Sequence, residues 1–394
     1  GRKITNLQEW CYFGLTTPDA ANFALCYSDT VRASSVNFSL NGGFFSSPQY
    51  VVLSSSDSLD IIKYTTNGSI PSSNSATYNL PIVISQTEVI RARVINVEKL
   101  PGKIVTHTYF INENFDLPVF SISTNPSNLY SSDFGIYAEG PNYILGNPET
   151  ANFGKNWKRP INIEYFDENK LQIINKQAGI SISGGMSRLF IQKSFSIYSG
   201  AKYENTGFNY QFFDHKSINN FTNLKLRNSG NDFLYTMFRD GMMQTLLIDQ
   251  MDIDYQSYKP SIVFLNNIFW GIYNLREKHD EYYIVSNYNL GLNEFDMLEN
   301  LNGVINGTRS HYHSMIAFMG TNNLFLQSNY DYIKTQMDVN EYINYQIAEI
   351  YFNNLDWPAN NIKYWRPNTS DGKWRWIIFD TDWGFGLAGG DTTN

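Results

Sequence analysis

At 394 residues, with 42 % hydrophobic, 17 % charged and 16 % aromatic side chains, the chain is long enough for two or three domains and too apolar for disorder. A formal net charge of −8 supplies no basic field for a phosphate backbone or an anionic membrane surface, which excludes nucleic acid as a general partner. No apolar run approaches the roughly 20 residues of a membrane span, and none has the form of a signal-peptide core.

The chain opens on Gly1-Arg2-Lys3 without an initiator Met or export signal and stops soon after a Gly/Asp motif, so a fragment at both ends is expected. Residues 1–35 carry Trp10, Pro18 and Asn22 in an irregular run and read as a linker or the tail of an upstream domain. Cys11 and Cys26 either pair as a local disulfide in an oxidising compartment or stay as buried thiols. Both lie far from the other polar clusters, so a cysteine-based metal site is excluded.

Residues 36–112 change to short runs of β-branched and aromatic side chains, VVLS, IIKYTT, PIVIS, VIRARVI and VTHTYFI, separated by turn residues at near-regular spacing. This is the pattern of a small, Ig-like β-sandwich. Asn67-Gly68 is expected at a tight hairpin turn, where positive φ is required. No acidic pair or metal cluster occurs in the segment, which reads as a passive spacer or as a unit that binds a carbohydrate or surface partner.

Residues 113–394 alternate strands with helices. VFSIST, INIEYF, LQIIN, GISIS, KSFSIY and NLKLRN read as strands, with Asp167-Glu168-Asn169-Lys170 as one turn. Asn231 to Met251 places Phe233, Met237, Phe238, Met242 and Leu246 at helical spacing, with Asn231 or Asp232 as N-cap. SIVFLN and FWGIYNLRE follow as a hairpin joined at Asn266-Asn267. Several strands, one helix and a strand pair is the order of a kinase N-lobe, about 113–280, leaving a C-lobe, about 281–394, that is cut short. Asn/Gly clusters between Gly303 and Ser310 read as a turn, and His311-x-His313 as part of a loop. Asp338 and Glu341 form a capping-box-like start to a helix that presents Val339, Ile343, Ile347, Ile350 and Phe352 or Leu355 at a period close to 3.6. That helix leads to Asp356.

Phosphoryl transfer needs a group to orient the acceptor hydroxyl, oxygen ligands for the metal ions on the phosphates, and cations against the phosphate oxygens. Asp356 and Asn361 have the spacing of the kinase catalytic loop D-x-x-x-x-N, with Pro358 between them to prevent continued helix. Asp380 and Asp382 follow an apolar strand and fall on one face if the strand persists. Two hard carboxylates suit Mg²⁺ or Mn²⁺, and Gly384 and Gly386 permit close backbone approach. An Asp-x-Asp pair also serves metal-dependent nucleotide-sugar transferases, which keeps that reading open.

Two resemblances accompany these patterns. GFFSSPQYVVLS, YTTNGSIPSSNSATYN, IRARV and TYFI resemble the chitobiase/hexosaminidase C-terminal-type module. FLNNIFWGIYNLREKHDEYYI, DWPANNIKYWRP, IIFDTDWGFG and, upstream, AGISISGGMSRLFIQKSFSIY resemble segments of the spore coat protein H (CotH) kinase family, in order, from about Leu117 to the end. The second resemblance implies an α+β, protein-kinase-like two-lobed domain on a bacterial extracellular or cell-surface protein. It implies a catalyst that transfers the ATP γ-phosphate to serine of an unidentified protein substrate with Mg²⁺ or Mn²⁺. On that basis Asp356 positions or deprotonates the acceptor, Asn361 with Asp380, Asp382 or both holds the metal, and Lys193 contacts phosphate. Gly184, Gly185, Ser187 and Arg188 form a turn able to meet phosphates, or a simple hairpin turn. Glu277 is a candidate nucleoside contact, or a surface Glu in REKHDE.

Departures from the kinase pattern are local. Asn354-Leu355 replaces the His-Arg of ordinary kinases, and the expected helix has no Glu for Lys193, leaving Asp232 or Asp240 as substitutes. Asp382-Trp383-Gly384 can also be read as the Asp-Phe-Gly equivalent. A kinase-like surface adhesin or scaffold with a vestigial pocket is the non-enzymatic alternative.

Overall fold

The computed structural model describes residues 12–13, 26–27, 31–200, 203, 206–301 and 303–387. The pairing of Cys11 with Cys26 and most of the 1–35 segment lie outside them. The fold is α+β, mostly strands with few helices. The described chain forms two compact units. One runs up to Pro141 and adds Arg159–Gln177 and Ile262–Gly271; the other comprises Asn142–Lys158, Ala178–Ser261 and the chain from Ile272.

In the first unit the expected β-sandwich is present. A five-stranded sheet runs in the order Gly43–Phe45, Val105–Ile111, Glu88–Ile95, Ile61–Thr65, Ala76–Thr77, accompanied by two-stranded pairs Asn37–Phe38 with Leu53–Ser54 and Gln49–Val51 with Ile82–Ile84. Alternating side chains of these strands, among them Val51, Ile62, Ile84, Ile90, Ala92, Val94 and Tyr109, bury into one core. Gly68 has φ +82, as its turn requires, but the chain returns only at Ala76, so the connection is a loop rather than a tight hairpin. A Cβ on Gly68 would meet Asn266 Oδ1 at 2.2 Å, so glycine is also needed for close approach.

The sandwich is not a detached spacer. Phe110 packs with Val119, Phe166, Ile262 and Phe264 in a second core of the same unit. Thr108 donates from its backbone N–H to Glu164 Oε1 at 3.1 Å and from its hydroxyl to Glu164 Oε2 at 2.5 Å, and Gln172 donates to Oε1 at 2.7 Å. Burial, only partly offset by these bonds, raises the Glu164 pKa to about 7.

The strand-rich middle of the chain, expected from its element order to be a kinase-like N-lobe, forms a closed barrel. Seven strands close into a barrel in the order Val119–Ser123, Arg159–Phe166, Gln172–Ser183, Ser194–Tyr198, Asn223–Arg227, Ile268–Glu277, Tyr258–Leu265. Closure follows because Val119–Ser123 pairs antiparallel with Arg159–Phe166 and parallel with Tyr258–Leu265, leaving no free edge. LQIIN and GISIS merge into the single strand Gln172–Ser183. The hairpin at Asn266-Asn267 forms as expected, both residues at positive φ (48° and 62°).

In the second unit a five-stranded sheet runs in the order Asp254–Tyr255, Arg375–Ile378, Lys363–Pro367, Phe295–Glu299, Gly303–Asn306. Its core joins Met243, Leu298, Met315, Tyr345, Phe352, Trp374, Trp376 and Ile378. Residues 303–306 are therefore an edge strand, not a turn. His311 lies in the helix Ser310–Thr321, not a loop, and its Nδ1 accepts the Trp374 indole N–H at 3.0 Å. The single helix expected over 231–251 is broken into a 3-10 turn, Gly230–Leu234, and the short helix Arg239–Thr245. Asp232 captures the N–H groups of Thr236 and Arg239, and Met237 adopts φ +63, so helical bonds cannot run through.

The helix Val339–Phe352 starts at Asp338 as expected, its carboxylate accepting the Glu341 N–H at 3.2 Å. Its buried face agrees with the one read from periodicity only at Phe352 and, in part, at Val339. Ile343, Ile347 and Ile350 are 47 %, 47 % and 68 % exposed, while Glu341, Tyr345, Ala348, Glu349 and Phe352 are buried. Glu341 turns inward because its carboxylate accepts the Trp376 backbone N–H at 3.1 Å, which fixes the helix on the strand Arg375–Ile378.

Candidate active site

A cleft of about 450 Å³ in the second unit is lined by Gly184–Ser187, by Lys225, Arg227, Gly230 and Asn231, by Asp356, Asn360 and Asn361, and by Asp380, Asp382 and Trp383. Four stretches far apart in the chain thus contribute polar groups to one concavity.

Asp356 is delivered by the end of the helix Val339–Phe352. Asn353, at φ +51, stops that helix before Pro358 is reached. Asn354 is buried, donating to Glu349 Oε2 at 2.9 Å and accepting the Asp356 N–H at 3.3 Å, so it ties the loop to the helix. Burial raises the Glu349 pKa to about 7. Asn361, at φ +59, donates to Asp356 Oδ2 at 2.8 Å.

Asp380 and Asp382 converge, but not as alternate residues of a strand. The strand ends at Ile378, Asp380 adopts φ +58, and Thr381–Trp383 form a 3-10 turn. Thr381 fixes that turn by donating from N–H and hydroxyl to Asp240 Oδ1 at 2.9 and 3.0 Å. The same nitrogen of Arg227, Nη2, donates to Asp380 Oδ1 and to Asp382 Oδ2, the latter at 2.7 Å. Asn231 adds donors to Asp382, from N–H at 2.8 Å and from Nδ2 at 3.3 Å. The Asp382 side chain is 1 % exposed and that of Asp380 is 31 %. Burial outweighs Arg227 and, with Asp380 and Asp240 nearby, pushes Asp382 up to about 7.

Burial disfavours the Arg227 charge, but Asp380, Asp382 and Asp240 outweigh it and hold the guanidinium ionised. Asp240 is also buried, yet Arg276 and Arg227 keep its carboxyl well below the usual range. Lys225, two residues before Arg227 on the same strand, shares its face. Its ammonium makes no hydrogen bond among the described residues, and burial followed by the Arg227 charge lowers its pKa to about 7.

Several expected contributors point elsewhere. Lys193 is buried, donates to the carbonyls of Arg188 at 2.6 Å and Phe190 at 2.8 Å, and lies over the Phe153 ring at 4.3 Å. Neither Asp232 nor Asp240 serves it: Asp232 pairs with Arg239, and Asp240 with Arg276. Gly184, Gly185 and Ser187 border the cleft, with Gly184 at φ +112, but Arg188 turns to Glu149 Oε1 and the Gly154 carbonyl, each at 3.2 Å. Glu277 is neither a surface Glu nor a wall of this cleft. It is buried against Lys216 at 2.7 Å and accepts the Ser257 N–H at 3.0 Å. Burial raises its pKa, but Lys216 outweighs that and keeps it below the usual range. Lys225 and Arg227 line the cleft without having been expected there from the sequence. Their signal is present in NLKLRN, where two basic residues alternate with leucines on a strand.

Among the described residues no group of three or more His, Cys, Asp or Glu could hold a metal ion. The candidate ligands are two carboxylates and the Asn361 amide. Their chemistry nevertheless fits a hard divalent cation. Asp380 and Asp382 converge on one point, since a single positively charged nitrogen touches both.

No curated protein matches the chain. A model described as chitobiase/beta-hexosaminidase C-terminal domain matches residues 40–106, the sandwich of the first unit. A model described as CotH kinase protein matches residues 180–393, which includes every residue lining the cleft. By this match over more than half of its length, the chain belongs to the CotH kinase protein family.

Proposed function

We propose that the chain transfers the γ-phosphoryl group of ATP to a serine hydroxyl of a protein, with a divalent cation held by Asp380, Asp382 and Asn361. The observation that carries this reading is the convergence of Asp356, Asn361, the acidic pair and two basic side chains on one cleft. Each matches a need of phosphoryl transfer, which depends on positioning and charge rather than on covalent help from the protein.

Asp356 accepts or directs the proton of the attacking hydroxyl, and the Asn361 amide holds one of its oxygens in place. The hydroxyl oxygen bonds to the γ-phosphorus as the bond to the β-phosphate oxygen breaks, and ADP leaves. Bound at the acidic pair, the cation would neutralise phosphate charge. Lys225 takes the phosphate-contacting role expected of Lys193, because its ammonium lines the cleft without a hydrogen-bond acceptor, whereas that of Lys193 is spent on two carbonyls. The Gly184–Ser187 turn brings backbone to the same rim without side-chain bulk at its two glycines.

The test is incubation with γ-labelled ATP and Mg²⁺ or Mn²⁺, scoring label on the chain itself and on added serine-containing proteins. Label on serine that disappears in Asp356→Ala and in the double variant Asp380→Ala/Asp382→Ala supports the reading. Equal labelling of all three proteins overturns it.

A further inference from the structure

Arg227 has two sets of carboxylates within reach. Its Nη2 bridges Asp380 and Asp382, while its buried Nε makes no hydrogen bond although Asp240 Oδ2 lies 3.6 Å away. A small rotation of the guanidinium would turn that near contact into a bond.

We infer that Arg227 is the resident counter-ion of the Asp380/Asp382 pair and that a divalent cation binds there by displacing it towards Asp240. This rests on the proposal that the acidic pair holds a cation. Arg227 Nη2 sits at the point on which Asp380 Oδ1 and Asp382 Oδ2 converge, so a cation that takes both oxygens there would overlap it, and two positive centres held so close repel. Arginine cannot relieve the conflict by losing its proton. It therefore needs another acceptor, and Asp240 is the one at hand.

The surroundings suit a two-position side chain. Asp240 is anchored independently by Arg276, by the Gln244 amide at 2.7 Å and by Thr381, so it remains in place whichever way Arg227 turns. The chain at Gly230 runs against the clamp: a Cβ there would lie 2.0 Å from Asp382 Oδ2 and 2.5 Å from Arg227 Nη2. Glycine at φ +57 leaves that space to the guanidinium and the carboxylate. Arg227 thereby keeps two like-charged carboxylates together before a cation arrives, and lowers the affinity of the cation that replaces it.

Mn²⁺ titration by calorimetry, with Mn²⁺-dependent melting as a second readout, tests this on the whole chain. Arg227→Lys keeps the charge but not the planar fork, so its Mn²⁺ affinity should rise about threefold or more, by easier displacement from two carboxylates. Arg227→Gln removes the competitor, and its affinity should rise about tenfold or more. Both variants should gain more melting temperature from Mn²⁺ than the parent does. Unchanged or weaker binding in the lysine variant overturns the inference, because an arginine that merely orients the carboxylates would be needed for affinity. That decision stands even if the glutamine variant fails to fold. Absence of Mn²⁺ binding in parent and variants alike overturns the cation reading itself, and the inference with it.

Discussion

Asn361 donates its amide hydrogen to Asp356 Oδ2 at 2.8 Å, so the two ends of one short loop are locked face to face. Asp356 is the group proposed to meet the acceptor hydroxyl, and it carries no core packing of its own. Asp356→Asn should reduce phosphoryl transfer by about 10²-fold or more, the loss of a general base or orienting group. Melting should be unchanged. Labelled ATP and a thermal scan on the same sample measure both.

Lys225 and Lys193 make opposite predictions. Lys225→Met should weaken ATP binding about tenfold, the loss of one charge-assisted contact to phosphate, with little change in unfolding midpoint. Lys193→Met should leave the affinity close to that of the parent and lower stability, since the carbonyls of Arg188 and Phe190 lose their donor. The ATP-induced shift in melting temperature separates the two. A large loss of ATP affinity in Lys193→Met alone would reverse the assignment.

Gly230→Ala should destabilise the second unit by about 2 kcal/mol or more, because both the positive φ and the contact with the Asp382 carboxylate oppose a methyl group. Urea denaturation gives the difference directly. A neutral result would mean that the Asp380–Trp383 turn shifts at little cost.

Glu164 makes the first unit sensitive to pH. Its folded pKa, about 7, lies above the ordinary 4.5, so its contribution is complete below pH 4.5 and is lost as pH rises through 7. The loss is at most about 3 kcal/mol by the linkage relation. Glu164→Gln should flatten this dependence while keeping an oxygen for Thr108. Melting profiles at pH 5 and pH 8 provide the comparison.

What was legible in the chain followed from local geometry. Asp356 and Asn361 sit within one loop, and their spacing alone brought them together. The hairpin at Asn266-Asn267 could be read because two consecutive asparagines tolerate positive φ. Contacts made over long separations were less accessible. Lys193 follows a Gly/Ser/Arg turn and looks like a phosphate ligand, yet carbonyls a few residues back capture it. Arg227 meets both Asp380 and Asp382 across more than 150 residues, a separation that no periodicity encodes. The helix Val339–Phe352 was legible, but its inward face only in part: Phe352 is buried, while Ile343, Ile347 and Ile350 are exposed. A buried acid that serves a backbone N–H, Glu341, counts as polar in any hydrophobic pattern. Barrel closure was hidden for a related reason, since strand runs are visible in sequence while the parallel pairing of Val119–Ser123 with Tyr258–Leu265 is not.

The core that joins Phe110 to Val119, Phe166, Ile262 and Phe264 bears on how the chain can be divided for expression. Cutting just after the sandwich, near residue 112, would strip one wall from that cluster and leave the Glu164 carboxyl without the Thr108 N–H and hydroxyl. A recombinant fragment beginning there would expose aromatic rings and a carboxyl left with Gln172 alone of its three donor groups, a combination that favours aggregation. Family boundaries and folding boundaries do not coincide in this chain. A shortened protein intended for crystallisation or assay should retain residues from before Val36, whose side chain is part of the sandwich core.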